Sequence, residues 1–336
     1  MKRANLFING YGRIGRILHR ILLDDPELDL VAINSRSSAE NLAYLLKYDS
    51  TYGKLPRDIS FGEDYLKVDT KKIKVFVNKN PGEINFKELG VDIVAECTGK
   101  FRDRAACEKQ LGSGARKVVI SAPGKGEDAC IVMGINHDKY AGDKQHIISN
   151  ASCTTNCLAV VVKVLHEKFG IKCAHMTTIH AVTRSQNVVD GSSDKDLRKG
   201  RSLLDSFIPT STGSDKAIGL IFPDLQGKIS ATAIRVPFST VSMIDLVAQL
   251  KEKVTPELVN QAFEKASQDE LKGILGISFE PLVSIDYKGE TRSAVVDSLS
   301  TNVLDDNLVK VFAWYDNEWG YTTRFYDLIR LVARAL

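Results

Sequence analysis

The residues best suited to covalent chemistry lie in Ser149-Asn150-Ala151-Ser152-Cys153-Thr154-Thr155-Asn156-Cys157, a run that leads straight into the apolar stretch Leu158 to Leu165. Leu158, Val161, Val162 and Leu165 recur at helical spacing. The pattern predicts a buried helix opening near Ser152, with Cys153 in its first turn. Unpaired amides and the helix dipole favour a thiolate there, the dipole by only about 0.3–1 kcal/mol. An ordinary thiol is only a few per cent ionised at neutral pH, so Cys153 needs a cationic or proton-accepting partner. The strand-like run Cys173 to Ala181 carries His175 and His180, five residues apart and therefore on opposite faces. His180, at the end of that strand, is the candidate base. Taken alone, the two residues read as a buried thiol and a hydrogen-bonded histidine sooner than as a catalytic pair.

Ser152-Cys153-Thr154-Thr155-Asn156 together with Thr177-Thr178-Ile179-His180 resembles the active-site pair of phosphorylating glyceraldehyde-3-phosphate dehydrogenases, and the resemblance extends from Asn9 to Tyr321. It implies a Cys153 thioester formed with help from His180, glyceraldehyde 3-phosphate and inorganic phosphate as substrates, and 1,3-bisphosphoglycerate as product. It also implies two anion sites: Ser152, Thr154, Thr212 and Gly213 for inorganic phosphate, and Thr183 with Arg235 for the substrate's own phosphate. The forked donors of Arg235 suit phosphate, although a strand arginine also serves as a surface ion pair. The related erythrose-4-phosphate dehydrogenases commonly vary the Thr183 region and the Thr212-Gly213 motif, which this chain keeps. A redox-sensing or binding role for Cys153 is the alternative from another class.

The nicotinamide cofactor needs its own domain. Leu6-Phe7-Ile8-Asn9 reads as a strand running into Gly10-Tyr11-Gly12-Arg13-Ile14-Gly15, after which Ile17, Leu18, Ile21 and Leu22 give a helical face. In that setting the three glycines allow a tight turn and close backbone approach to a pyrophosphate at the helix N-terminus. The resemblance implies that Arg13 and Ile14 lie against the cofactor, that Thr98, Gly99 and Ser121 line its groove, that Asn317 bonds the nicotinamide amide, and that Tyr321 packs near the ring. The second strand, Leu28 to Asn34, points its end at the adenosine ribose, where an NAD enzyme usually carries an acid. Here Ser35 and Arg36 stand instead, and Ser192 replaces a proline common in the loop that borders this ribose in the family. Loss of the carboxylate lifts a repulsion from a 2′-phosphate of roughly 1–4 kcal/mol at ~4 Å. NADP is therefore expected to be accepted beside NAD. The alternative is that Ser35 opens a polar loop and caps the helix starting near Glu40 while NAD still binds.

The elements that position these residues fill 336 positions, enough for two domains with substantial cores. The expected class is α/β: a doubly wound Rossmann-type cofactor domain over 1–151, and an α+β catalytic domain with a mostly antiparallel sheet over 152–315. The catalytic part includes a polar loop, 183–205, bearing Arg184, Lys195, Arg198, Lys199 and Arg201. Residues 316–336 form a helix returning to the cofactor domain. In the family that loop packs between subunits, which implies a homotetramer. An apolar share of 43% and a net charge of +3 point to an ordinary globular chain rather than a partner of nucleic acid or membrane. No apolar run approaches the ~20 residues of a membrane span and no signal region is evident, so a cytoplasmic location is expected. The six cysteines lack the spacing of a disulfide framework or a zinc site, so no metal is expected.

Overall fold

A computed structural model describes residues 3–193 and 196–336. The chain divides into two compact units, Met1–Ser152 with Thr322–Leu336, and Cys153–Tyr321. Lys195, one of the charges of the polar loop, lies outside the described residues.

The first unit opens with β1 (Ala4–Asn9), α1 (Arg13–Leu22), β2 (Leu28–Asn34) and α2 (Ala39–Lys47). A short hairpin follows, β3 (Tyr48–Asp49) with β4 (Gly53–Lys54), then β5 (Ile59–Phe61), β6 (Tyr65–Val68) and β7 (Lys71–Phe76). The rest of the unit's sheet elements are β8 (Ile93–Glu96), α3 (Arg104–Gly112), β9 (Lys117–Ile120), β10 (Ala129–Cys130) and β11 (Ile147–Ser149). The strands make one nine-stranded sheet in the order β10-β11-β9-β8-β1-β2-β7-β6-β5. It is parallel from β10 to β7 and antiparallel over the β7-β6-β5 edge. From the central β1 the chain goes to β2 on one side and later to β8 and β9 on the other, so a topological switch point lies between β1 and β8, where ligands of doubly wound sheets gather. Alternation along β1 sends Leu6 and Ile8 into one apolar cluster and Phe7 into another, as expected of a sheet covered on both faces. The first of those clusters also holds Phe325, Leu328, Ile329 and Val332, four residues on one stripe of the C-terminal helix. That helix therefore returns to this unit, as its periodicity predicts. Ser38, not Ser35, caps α2 by accepting the Asn41 N–H at 3.3 Å. Ser35 sits too early, its hydroxyl accepting only the Ser37 N–H at 3.4 Å.

The second unit contains α4 (Cys153–Phe169), β12 (Ile171–Ala181), β13 (Ile208–Ser211), α5 (Ser214–Ile221), β14 (Ile229–Val236) and β15 (Ser242–Leu250). It continues with α6 (Pro256–Gln268), β16 (Leu275–Ser278), β17 (Ala294–Asp297), β18 (Asn302–Leu304), β19 (Leu308–Tyr315) and the start of α7 (Trp319–Arg334). Its eight-stranded sheet runs β13-β14-β12-β15-β19-β17-β16, with β18 on β19. The pairings are antiparallel except β12 with β14 and β16 with β17. Thr255 caps α6 and Pro256 occupies its first position, where a missing N–H costs nothing. Buried on nearly every face, α4 is held by its apolar run, while the described residues of the 183–205 loop contribute a short 3₁₀ turn, Leu197–Gly200.

Candidate active site

Cys153 is the first residue of α4, two positions after Ala151, whose φ of 55° is a left-handed conformation that costs a residue with a Cβ about 1–2 kcal/mol. That turn brings the chain abruptly into the helix. On β12, His175 is exposed and His180 is 3% exposed, the opposite faces that the sequence spacing requires. His180 Nε2 lies 3.4 Å from Cys153 Sγ.

The other ring nitrogen decides what the histidine can do. Two neighbours compete for His180 Nδ1: the Ala181 carbonyl at 2.6 Å, which only accepts, and the Arg235 guanidinium, which only donates; the carbonyl favours the tautomer with the proton on Nδ1 and the lone pair of Nε2 turned to the thiol. Arg235 of β14, the residue opposite His180 in the parallel β12–β14 register, lays Nη1 against Nδ1 and donates to the Ala181 carbonyl at 3.2 Å. Burial, reinforced by the Arg235 charge, lowers the His180 pKa to about 3, so the imidazole is a neutral base at working pH. Burial pushes the half-buried Cys153 thiol up, and Arg235 is the chief influence pulling it down, followed by the hydroxyl and N–H of Thr154. Arg235 is thus the cation that the thiol lacks in a reading of the sequence, where this arginine serves substrate phosphate alone. Among the described residues Arg235 forms no ion pair; its guanidinium lies on His180 and the Ala181 carbonyl.

A residue that sequence reasoning missed completes this centre. Tyr315, at the end of β19, is buried with its hydroxyl 2.9 Å from Thr154 Oγ1 and 2.8 Å from Thr178 Oγ1, and its ring meets His180 edge-on at 6.1 Å. The hydroxyl chain Thr178–Tyr315–Thr154 orients the threonine beside Cys153. Tyr315 stands in the Trp314 to Tyr321 motif, but nothing in the sequence says which of its aromatics turns inward.

The remaining anion-site residues of this unit have these surroundings. Thr212 Oγ1 is 3.0 Å from Ser214 Oγ, which accepts from Thr155 Oγ1 at 3.4 Å, and Gly213 is the N-cap of α5. These contacts link the Thr212-Gly213 turn to the first turn of α4. Thr183 is folded into its own turn, its N–H and hydroxyl both donating to Gln186 Oε1, at 2.8 and 2.9 Å. Ser192 lies exposed in the long loop. Asn317 is 6% exposed and accepts the Ser242 hydroxyl at 3.0 Å, and Tyr321 is equally buried. Ser152, half-buried, closes the first unit.

Within the first unit, the β1–α1 turn fits a dinucleotide. A Cβ on Gly10, at φ +94°, would come within 2.7 Å of the Thr98 amide, and one on Gly15 within 2.3 Å of the Gly10 carbonyl. Around Gly12 nothing stands within 4 Å, so a phosphate has room at the start of α1, and Gly99, at φ +69°, is equally open. Arg13 bonds Asp49 and lies over the Tyr52 ring at 5.5 Å, and Ile14 packs on the core. The Ser121 N–H donates to the Glu96 carbonyl at 2.9 Å, beside the Thr98-Gly99 turn. Ser35 is half-buried and Arg36 exposed after β2, with no acid before Glu40. No group of three or more His, Cys, Asp or Glu among the described residues is placed to hold a metal ion, and no helix among them is long and apolar enough to cross a membrane.

Family comparison decides between the readings of this geometry. Residues 4–104 match the glyceraldehyde 3-phosphate dehydrogenase NAD binding domain and residues 152–317 the C-terminal domain of the same family. The chain belongs to the glyceraldehyde 3-phosphate dehydrogenase family. It is 51% identical over 326 residues to the glyceraldehyde-3-phosphate dehydrogenase of Geobacillus stearothermophilus, covering 97% of both chains. It is 50% identical over 321 residues to glyceraldehyde-3-phosphate dehydrogenase 1 of Bacillus cereus, covering 96% of each. A chloroplastic glyceraldehyde-3-phosphate dehydrogenase of Arabidopsis thaliana is 49% identical over 98% of this chain and 84% of its own. A glyceraldehyde 3-phosphate dehydrogenase of this kind carries its cofactor on the Rossmann-type first unit, and the open cradle at Gly12 is the local feature that suits one.

Proposed function

We propose that the protein oxidises glyceraldehyde 3-phosphate to 1,3-bisphosphoglycerate with inorganic phosphate and NAD or NADP, through a thioester on Cys153. The observation that carries this is the 3.4 Å Cys153–His180 contact at the start of α4, with Arg235 against the histidine and its charge acting on the thiol. His180 Nε2 takes the thiol proton as Cys153 adds to the aldehyde carbon, and the Nδ1–H held by Ala181 keeps that tautomer in place. The bound dinucleotide supplies the hydride acceptor. The proton taken by His180 passes to the carbonyl oxygen as the thiohemiacetal forms and returns to His180 as hydride leaves, giving the thioester, whose carbonyl is then attacked by a phosphate oxygen, releasing the Cys153 thiolate and the acyl phosphate. Arg235 joins binding to reactivity: a phosphate beside it offsets the positive charge that depresses the His180 pKa, so the base strengthens when substrate is present. Ser152, Thr154, Thr212 and Gly213 are the residues for inorganic phosphate, and Thr183 with Arg235 those for substrate phosphate.

NADP acceptance rests on Ser35, Arg36 and Ser192, which put a hydroxyl and a cation where a carboxylate is usual. A homotetramer is supported by the 183–205 loop, where Val188, Val189, Leu197 and Leu204 are 60, 68, 86 and 61% exposed and would gain from being covered. A cytoplasmic location agrees with six free cysteines. The test is a single-turnover reaction without phosphate. Enzyme mixed with substrate and NAD or NADP gives one equivalent of reduced cofactor per site and an acyl adduct on Cys153 that added phosphate discharges; sustained turnover without phosphate, or an adduct elsewhere, contradicts the mechanism.

A further inference from the structure

Beneath the cofactor-facing turns of the first unit lies a hydrogen-bonded chain of buried polar side chains that the reaction above does not use. Glu96 at the end of β8, Asn9 at the end of β1 and Gln110 of α3 are fully buried, and Asn34 at the end of β2 is 4% exposed. Glu96 Oε1 accepts the Thr98 N–H at 2.8 Å and the Thr98 hydroxyl. Glu96 Oε2 accepts from Asn9 Nδ2 at 2.5 Å and from Gln110 Nε2 at 3.3 Å. Asn9 Oδ1 accepts from Asn34 Nδ2 at 2.8 Å, and Asn34 Oδ1 receives the Asn78 N–H at 2.9 Å. Backbone bonds run alongside, Gly10 N–H to the Asn34 carbonyl at 2.9 Å and Cys97 N–H to the Asn9 carbonyl at 2.7 Å. One carboxylate thereby ties together the turns after β8, β1 and β2, which carry Thr98-Gly99, Gly10–Gly12 and Ser35-Arg36.

We propose that Glu96 is a positioning residue for the dinucleotide, its carboxylate holding those three turns in the register that accepts the cofactor. The inference rests on dinucleotide binding by this domain. Its chemistry follows from counting donors and acceptors. Four donors converge on Glu96, and a carboxylate offers four lone-pair positions to meet them. A protonated or amidated side chain turns a donor against donors, and the Gly10 turn has no slack because a Cβ there would already strike the Thr98 amide. An acceptor for such a donor is Gln110 Oε1, a buried atom without a partner, reached when the Gln110 amide turns over and its N–H leaves Glu96. The chain therefore has an ordered carboxylate form and a looser acid form. Burial raises the Glu96 pKa to about 7, against the pull of the Thr98, Asn9 and Gln110 donors, which places the exchange between forms near neutral pH. The titratable groups around it are the Cys97 thiol, next in the chain after β8, and the Cys107 thiol of α3, both held protonated by burial, with Asp103, Arg104 and Glu127 acting around Cys107.

Glu96→Gln and the double variant Asn9→Asp/Glu96→Gln test this by calorimetric titration with NAD and with NADP at pH 8. Binding by the unmodified enzyme checks the underlying reading; failure to bind either dinucleotide would overturn that reading and this proposal with it. Given binding, Glu96→Gln weakens affinity roughly tenfold or more, the loss expected for a hydrogen-bonded charged group. It raises the KM for cofactor while leaving kcat at saturating cofactor within about twofold, a split that general loss of structure would not give. The double variant regains most of the affinity, because the carboxylate introduced on β1 accepts the amide N–H introduced on β8. Unchanged affinity in Glu96→Gln, or a double variant no better than the single one, overturns the proposal. Where Glu96→Gln does not fold, the unmodified enzyme decides: its cofactor affinity tightens as pH rises through 7, and a flat or falling profile overturns the proposal.

Discussion

Cys153 depends on its surroundings for reactivity, and the structure divides that dependence between two residues. His180 supplies a lone pair on Nε2, and Arg235 supplies the charge. Replacing His180 by Asn removes the base but not the nucleophile. Steady-state turnover is expected to fall ~10²–10⁴-fold while iodoacetamide still alkylates Cys153. Arg235→Leu acts on the thiol itself. The arginine lowers the Cys153 pKa, so its loss raises that pKa, and the pH profile of alkylation moves to higher pH. A profile that stays in place would show that the guanidinium does not act on the sulfur. The Cys–His pair is legible in the sequence because helix phase and strand alternation each assign one face. The role of Arg235 is not, since it arises from a parallel pairing of His180 with a residue 55 positions away, and register between distant strands leaves no local signature. The hydroxyl chain through Tyr315 is hidden for the same reason, its partners Thr154 and Thr178 lying 161 and 137 positions off.

Elements with a strong period are legible in the sequence, those fixed by a cap or a short edge less so. β2 spans Leu28–Asn34, the bounds that the sequence indicates, because its apolar run is a local signal. Ser35 reads as a cap for α2, yet three serines in four positions look alike until the backbone shows which hydroxyl meets an amide two or three residues on. Ser38→Ala is therefore expected to lower stability by about 1 kcal/mol and Ser35→Ala by only a few tenths, as read from thermal or urea melts. The C-terminal helix carries more. Phe325 is fully buried in the first unit's core, and Phe325→Ala is expected to cost about 3–5 kcal/mol, enough to lower the melting temperature markedly.

At the scale of the whole molecule, buried ionisable groups in the first unit make its stability depend on pH. Glu96, with its pKa raised from 4.5 to about 7, binds a proton in the folded state that it has lost in the unfolded chain between those values. Its contribution is complete below pH 4.5 and is lost as pH rises to 7, on the order of 3 kcal/mol in all. Urea midpoints followed from pH 5 to 8 should fall across that window, and Glu96→Gln should flatten the curve; a midpoint rising from pH 5 to 7 would contradict the assignment. The central claim concerns both units together, because covalent oxidation by the catalytic unit is useful only with a dinucleotide and with phosphate. The measurement that tests it most directly is the initial rate of NAD and NADP reduction, side by side, with glyceraldehyde 3-phosphate, with and without inorganic phosphate. The account predicts turnover that requires phosphate, vanishes in Cys153→Ser and proceeds with NADP at least as efficiently as with NAD. Activity with NAD alone would contradict the reading of Ser35, Arg36 and Ser192. Turnover independent of phosphate, or surviving in Cys153→Ser, would contradict the mechanism itself.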